Sequence, residues 1–514
     1  MMMWNVRERA EQQCRRPVLD TVLTVPATFN RTQRQVLRDA CLISGMKPRS
    51  VLVGSTAAGM AHFIDHDGEI RESLVLVVDF GAGSLDVSLI SLQKRSRIEI
   101  MAVAGDSELG GDVLTERIVT HFIDDYNRQH GSQIVAEASL GRLRRACELA
   151  KKMLSSSDRA AIDVRSLFLG GGNFSGSISR TQFEAACVDC WERFKQPIFR
   201  VLDESRVPKE AVDRVLLCGG SAQIPRFRLL LEELFVGKSV EIEAKEDLQA
   251  RGAAIYAASM AKLQPFNSLT LERVTPLALG LQRIGVRDTV VLLRSNTRLP
   301  VSKSQVLFST PQKDVTYQIL EGNVLQQTAS VRNVSKEQAH CLGMIRFDLS
   351  SVVVPLVVKI EVVFDIDALD SLVVTAMEAS SGKVQTIACL GDDTLLPRDS
   401  IAQLREELVQ RRGFQTPISP NSVSSTQLTN LVEYSAALQR MMSGNSLEIT
   451  INNEDEKRVL VAKLEGISRW LQSASTSPSA ANMETMKRHL QTLRRLHFSM
   501  AATCALAHLR ETDL

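Results

Sequence analysis

An excess of either charge is missing from this sequence. Its 514 residues carry 61 Lys and Arg against 59 Asp and Glu, a formal net charge of +2. A dedicated nucleic-acid binder would carry a basic excess, so no nucleic-acid partner is expected. Cysteine is dilute and odd in number, nine in all, which argues against a disulfide framework and for a reducing compartment, so a cytoplasmic location is expected. Long apolar runs are missing too. The longest, Val352 to Phe364, is broken by Pro355 and Lys359 and is too short to span a bilayer. Arg and Glu together near the N-terminus leave no apolar core for an export signal, so no membrane partner is expected. The eight His are scattered without metal-ligand spacing, and no nucleophile–His–acid constellation is visible. Cys187 and Cys190 form a lone CxxC in a helical pattern and read as helix-packed thiols.

What is present is an ordinary globular composition, 44% hydrophobic and 23% charged. The length suggests roughly three domains of about 150 residues. Residues 1–264 alternate β-branched runs such as Thr21–Pro26 and Leu74–Gly83 with helical patterns such as Leu143–Leu154. That alternation predicts an α/β region with buried sheets. From about Arg273 to Thr386 short strand-like runs are separated by turn residues and predict an antiparallel β-sandwich. From Asp399 onward helical patterns dominate.

Four motifs carry chemistry. In Asp79-Phe80-Gly81-Ala82-Gly83-Ser84-Leu85-Asp86 a strand ends in Asp, turns on small residues and starts a second strand. Glycines there let backbone N–H groups approach phosphate oxygens. Asp79 could position Mg²⁺ or a water, and Ser84 could donate to a phosphate. In Leu216 to Pro225 a strand runs into Gly219, Gly220 and Ser221 before a helix, a geometry suited to a nucleoside or phosphate beside a helix N-terminus. A third Gly-rich stretch spans Gly105 to Gly111. On the predicted helix, Glu148, Lys151, Lys152 and Ser155 fall at i, i+3, i+4 and i+7, one polar face able to grip ribose hydroxyls and an adenine ring.

In this order the motifs resemble the 70-kDa heat-shock protein family of chaperones. "DFGAGSLDVS" is similar to the family's second phosphate loop, "ACELAKKMLSSS" to its adenosine-gripping helix and "CGGSAQIPRF" to the opposite wall of that pocket. "STAAGMAH" and "RGAAIYAAS" resemble two helices of the nucleotide domain, "VTPLALGL" and "VVFDIDALDSLVVTA" the peptide-binding sandwich, and "ISRWLQ" the lid. The resemblance covers nearly the whole chain. It implies an α/β actin-like ATPase domain with an incomplete first lobe over 1–264, an interdomain linker at 265–273, a β-sandwich over 274–395 and a helical lid over 396–514. It implies ATP or ADP with Mg²⁺ as cofactor and Asp79 as the catalytic and metal residue. The nucleotide would be held by Gly81, Ala82, Gly83, Ser84, Asp86, Glu148, Lys151, Lys152, Ser155, Gly219, Gly220, Ser221 and Glu246. Leu281, Ile284, Phe308, Val315 and Tyr317 would contact an extended apolar peptide. Unfolded polypeptides, J-domain co-chaperones and nucleotide-exchange factors are the implied partners.

The departures carry expectations of their own. No D-x-G-T-T loop is found, Gly54 stands where the family's N-E-P-T-A motif has Glu, and Gln223 where its adenine-stacking Arg would be. Weakened nucleotide binding and impaired hydrolysis are therefore expected, because positioning and electrostatics are most of phosphoryl-transfer catalysis. Strand Thr21–Pro26 is expected to expose an edge. In the linker, Leu269 and Leu271 alternate with polar residues, so weaker docking is expected. The loop after Phe308 reads as short, Gly413, Pro417 and Pro420 interrupt the lid, and the C-terminal Glu511-Thr512-Asp513-Leu514 lacks the family's E-E-V-D tail. Two other functions fit parts of the pattern: a holdase that binds polypeptide without hydrolysing ATP, and a sugar-kinase-type enzyme on the same fold.

Overall fold

The computed structural model describes residues 2–15, 17–67, 72–93, 97–130, 137–165, 167, 173–243, 245–286, 288–309, 314–322, 330–332, 339–348, 358–379, 382–389 and 398–411. Most of the expected lid, with Gly413, Pro417, Pro420 and the "ISRWLQ" segment, lies outside these residues, as do positions 310–313 after Phe308. The chain divides into two compact units, Val6–Cys41 with Met46–Asp393, and Met1–Asn5 with Leu42–Gly45 and Thr394–Leu514. The second unit contributes a helix, Arg398–Arg411. Among the described residues no helix is long and apolar enough to cross a membrane.

In chain order the first half runs α1 (Met2–Cys14), β1 (Asp20–Val25), α2 (Arg31–Ile43), β2 (Lys47–Val53), α3 (Gly54–Asp67), β3 (Ser73–Phe80), β4 (Leu85–Gln93), β5 (Arg97–Asp106), α4 (Gly111–His130), α5 (Glu137–Met153), β6 (Arg159–Val164), β7 (Phe174–Ser179), α6 (Arg180–Ala186), α7 (Val188–Ser205), β8 (Arg214–Cys218), α8 (Pro225–Leu234), β9 (Ser239–Glu243), α9 (Leu248–Met260) and β10 (Thr270–Glu272). A six-stranded mixed sheet in the order β10-β5-β4-β3-β8-β9 organises it. The apolar run of β3 explains its central place. Successive side chains point to opposite faces, so Leu76, Val78 and Phe80 enter the core under α4–α8 while Val75 and Val77 enter the core under α3 and α9. Helices α3 and α9 touch closely at Gly252, where a Cβ would overlap the carbonyl of Ala57. On the other face Phe80, Trp191, Phe194 and Phe227 form an edge-packed aromatic group, with Phe80 and Phe227 centroids 4.3 Å apart. Cys187 and Cys190 are buried free thiols in the same core, at the α6–α7 junction. Strand β1 pairs only with β2, in parallel, and so keeps one edge without a strand partner among the described residues.

The second half runs β11 (Val274–Thr275), β12 (Leu279–Arg283), β13 (Asp288–Leu293), β14 (Thr297–Arg298), β15 (Val301–Ser309), β16 (Asp314–Glu321), β17 (Ser330–Arg332), β18 (His340–Asp348), β19 (Val358–Ile366), β20 (Leu372–Glu378) and β21 (Val384–Cys389). Two antiparallel sheets result, β17-β13-β12-β16-β18 and β15-β19-β20-β21. Alternate residues of β19 and β20 are buried, and Ile360, Val362, Phe364, Leu372 and Val374 share one core with Leu279, Leu281, Ile319 and Ile345 of the other sheet.

The segment 268–273 is not left loose. Strand β10 joins the sheet edge in parallel register, Thr270 to Arg97, Leu271 to Ile98 and Glu272 to Glu99, while Leu269 is buried. The sequence suggested weaker docking because only two Leu are present. In the structure backbone pairing, indifferent to side chains, shares the task with Leu269 and with an Arg97–Glu272 ion pair.

Around this strand the two halves meet through buried polar contacts. Arg31 of α2, 1% exposed, donates from Nη1 to Glu321 of β16 and from Nη2 to Asp370 of the β19–β20 turn. Its backbone N–H also donates to Glu321, at 2.6 Å. Thr32 hydrogen-bonds His340 at 2.8 Å. Asn296, at φ 58°, donates to the Val103 carbonyl at 3.1 Å and accepts from the Val103 N–H at 2.8 Å. Arg273 is buried and donates to Ser50 and to the Val51 carbonyl. Burial pushes the Glu321 carboxyl up and the Arg31 charge opposes that push.

Removing one partner of a buried ion pair strands the other and costs roughly 3–5 kcal/mol. Arg31→Met is therefore expected to release the seam. Hydrogen exchange should rise at residues 318–322 and 367–371 while β3 and β4 stay protected. Unchanged protection at 367–371 would show that Arg31 is not what closes the seam.

Candidate functional site

Three of the sequence motifs meet at one carbonyl. The β3–β4 turn closes on itself, Gly81 N–H donating to the Ser84 carbonyl at 3.0 Å. The Gly81 carbonyl then accepts from the Gly111 N–H at 3.0 Å and from the Ser221 hydroxyl at 2.9 Å. The Ala82 carbonyl accepts from Asp112 N–H at 2.8 Å. Thus the first turn, the start of α4 and the turn after β8 are joined directly. Gly219 allows this approach: it sits at φ 91°, and a Cβ there would stand 2.8 Å from Asp79 Oδ1 and run into the Phe80 carbonyl. Gly83 and Gly220 have nothing within 4 Å of where a Cβ would lie, so both open onto free space.

The polar stripe of α5 reaches the same place. Lys151, 6% exposed, donates to the Gly111 carbonyl at 2.7 Å and to Thr115 at 3.0 Å. Glu148 pairs with Lys151 at 2.6 Å and accepts from the Thr115 hydroxyl at 2.6 Å. Lys152 is exposed, 3.6 Å from Glu148. Ser155 is half-buried in the turn after α5, its N–H donating to the Lys152 carbonyl at 3.2 Å. Burial pushes the Glu148 carboxyl up, but the Lys151 and Thr115 hydrogen bonds and the two lysine charges outweigh it and hold the group below its ordinary value. Glu246 lies in the exposed turn between β9 and α9, and Gln223 is exposed beyond Ser221.

The acidic end is a cavity of about 90 Å³ lined by Thr24, Pro26, Gly54, Gly81, Ser84, Asp79, Asp86 and Gln249. Asp79 accepts from Gln249 Nε2 at 2.6 Å. Asp86 accepts from the Ala27 N–H at 2.6 Å and from Ser84 at 2.8 Å. Ser84, expected to face a phosphate, therefore turns its hydroxyl to Asp86 in this structure. Burial pushes the Asp79 carboxyl up to about 6, with the Gln249 bond opposing. Burial likewise pushes Asp86 up to about 7, against the Ala27 and Ser84 hydrogen bonds and the Arg34 charge and helped by the charge of Asp79.

Two desolvated carboxylates at an open cavity suit a cation that arrives with its own anionic ligands. Among the described residues no group of three His, Cys, Asp or Glu could hold a metal by itself. Asp79 and Asp86, two carboxylates lining one cavity, would fit Mg²⁺ carried on phosphates, where one or two carboxylates are its usual protein partners. A larger cavity of about 610 Å³ lies at the far end of the sheet beside β10, between Glu72, Arg97, Asp213 and Thr270, and gathers none of the motifs.

Sequence reading missed Thr115 and Gln249. Thr115 follows Gly111 by four residues, one helical turn, and that spacing could have found it. Nothing local marks Gln249. Of the apolar candidates, Leu281, Val315 and Tyr317 pack into the core between the antiparallel sheets, whereas Ile284, after β12, and Phe308, on the edge strand β15, are exposed.

The pH dependence follows in sign. Between the ordinary carboxylate range near 4 and the raised values, the native chain holds protons that the unfolded chain has released. Without nucleotide or Mg²⁺, the contribution of Asp79 and Asp86 to stability should fall as pH rises from about 4 to about 7, by on the order of a few kcal/mol. Urea titrations at pH 5 and pH 8 check this, and Asp86→Asn should flatten the slope. An equal slope in that variant would refute the assignment.

A family model described as Hsp70 protein matches residues 1–502. The chain is 32% identical over 486 residues to "Heat shock cognate 70 kDa protein 3" of Dictyostelium discoideum, covering 92% of this chain and 74% of that protein. It is 33% identical over 483 residues to "Heat shock 70 kDa protein" of Neurospora crassa, covering 92% and 71%. It is 31% identical over 483 residues to "Heat shock 70 kDa protein BIP3" of Oryza sativa subsp. japonica, covering 92% and 69%. With its glycine turns and polar helical stripe converging in space and a family match that spans both halves, the chain belongs to the Hsp70 protein family.

Proposed function

We propose that the chain is a molecular chaperone whose mixed-sheet half binds ATP or ADP with Mg²⁺ and whose antiparallel sheets hold extended apolar segments of unfolded polypeptides. The observation that carries this reading is the junction at the Gly81 carbonyl, where Gly111 and Ser221 meet beside the buried ammonium of Lys151. Glu148, Lys151, Lys152 and Ser155 would face the ribose and adenine, with Gly219, Gly220, Ser221 and Glu246 on the opposite wall. Gly81, Ala82, Gly83 and Ser84 would offer backbone and hydroxyl donors to the phosphates. Asp79 and Asp86 would orient the hydration shell of the cation and a water near the terminal phosphate. When bound, Mg²⁺ supplies neutralisation of phosphate charge.

Ile284 and Phe308 are the proposed peptide contacts, because their side chains are exposed where Leu281, Val315 and Tyr317 are committed to the core. An extended peptide would add backbone hydrogen bonds and seat an apolar side chain. Strand β10 and the Arg31 seam are the physical route by which nucleotide in one half would set peptide affinity in the other. J-domain co-chaperones and nucleotide-exchange factors are the partner classes that accompany this activity in the family.

A ligand that binds only the folded state raises its stability, by about 2.7 kcal/mol at 100 times the dissociation constant. Mg-ADP and Mg-ATP should each raise the unfolding temperature. Lys151→Met should abolish that rise, whereas Lys303→Met, exposed on β15, should leave it intact. No shift at millimolar nucleotide would end the nucleotide reading. Mg-ATP should also speed release of a fluorescent extended apolar peptide, and Leu269→Asp, which puts a charge in place of the buried side chain just before β10, should remove that acceleration. Release that ignores ATP in the wild-type chain would refute the coupling.

A further inference from the structure

The acidic cavity contains one neutral group whose two ends do different things. Gln249 stands in the first turn of α9, and its Nε2 donates to Asp79 Oδ2 at 2.6 Å. Its Oε1 lies 2.8 Å from where a Cβ on Gly54 would stand. The amide therefore occupies the space that a side chain at position 54 would fill. The helices impose this placement. Gly252 meets Ala57 backbone to backbone, and stepping three residues back along both helices brings Gln249 over Gly54.

We infer that Gln249 is a positioning residue of the nucleotide site, an inference that rests on the nucleotide reading above. It holds the Asp79 carboxylate in place and puts a neutral amide, not a charged group, beside it in the lining of the acidic cavity. A divalent cation on phosphates gains most from full carboxylate charges nearby. With an amide at this place and Asp79 sharing one oxygen with it, Mg²⁺ adds modestly to nucleotide affinity. The site is tuned to the nucleotide more than to its metal.

Titration calorimetry of the full chain with ADP, once in Mg²⁺ and once in EDTA, tests this. The ratio of the two affinities is the readout, and the EDTA affinity reports whether each variant is folded. The wild-type ratio should stay below about tenfold. Gln249→Glu keeps the shape and adds a carboxylate, and it should raise the ratio by about tenfold or more. Gln249→Leu removes the hold on Asp79 and should lower the ratio without changing the EDTA affinity. Gly54→Ala pushes the amide off Asp79 and should reproduce the Leu variant. A purely structural role would leave the ratio untouched in all three variants. If Gln249→Glu does not fold, the Leu and Ala variants decide. ADP binding with the same ratio in every folded variant overturns the role of Gln249 alone. No ADP binding by the wild-type chain in either buffer overturns the nucleotide reading and this inference with it.

Discussion

The carbonyl of Gly81 is the point on which the nucleotide half turns. It receives the N–H that begins α4 and the hydroxyl that follows β8, so two helices and one hairpin take their positions from a single acceptor. Buried carbonyls need partners, and here the partners come from segments far apart in the chain. Phe80, the preceding residue, sits in the aromatic group that anchors β3 beneath the turn. Lys151 completes the junction by reaching the Gly111 carbonyl. Its ammonium is tolerated in the interior because Glu148 and Thr115 satisfy it. The mixed sheet with helices on both faces is the actin-like ATPase fold of the Hsp70 family.

A second constraint lies at the seam between this half and the antiparallel sheets. Arg31 spends its guanidinium on two acids of the second half, one at the end of strand β16 and one in the β19–β20 turn. Such a contact is costly to desolvate and costly to break, so its burial is weak evidence of added stability while loss of one partner is strongly destabilising. The three-residue pairing of β10 with β5 lies nearby and relies on backbone groups, so it does not depend on which side chains fill the linker. Asn296 copies that logic, matching the Val103 peptide group with its own side-chain amide.

Much of the site was legible because its chemistry is written in short local patterns. Glycine turns after strands, and polar residues spaced for one helical face, can be recognised without knowing the fold. That is why Gly81, Ser221, Glu148 and Lys151 could be named together. Long-range partners were not legible in this way. Gln249 is an unremarkable residue at a helix start, and its meaning comes from Gly54, nearly two hundred positions earlier. The seam hides in the same way, because Arg31 reads as a surface residue until Glu321 and Asp370 enclose it. Apolar groove candidates were ambiguous for another reason. In a strand every second residue is buried, and Leu281, Val315 and Tyr317 have the same character whether they face the core or a ligand.

The amino-acid sequence by itself determined the family, the alternation of strand and helix, the buried β3 run and the identity of the turns that meet at the site, since these depend on residue type and spacing over a few positions. Tertiary structure decided which oxygen each donor serves. It turned Ser84 toward Asp86, set Gln249 over Gly54, laid the linker along β5 and buried Arg31 between two acids. Those outcomes depend on which distant surfaces come within hydrogen-bonding reach, and that is settled only when the helices and sheets pack.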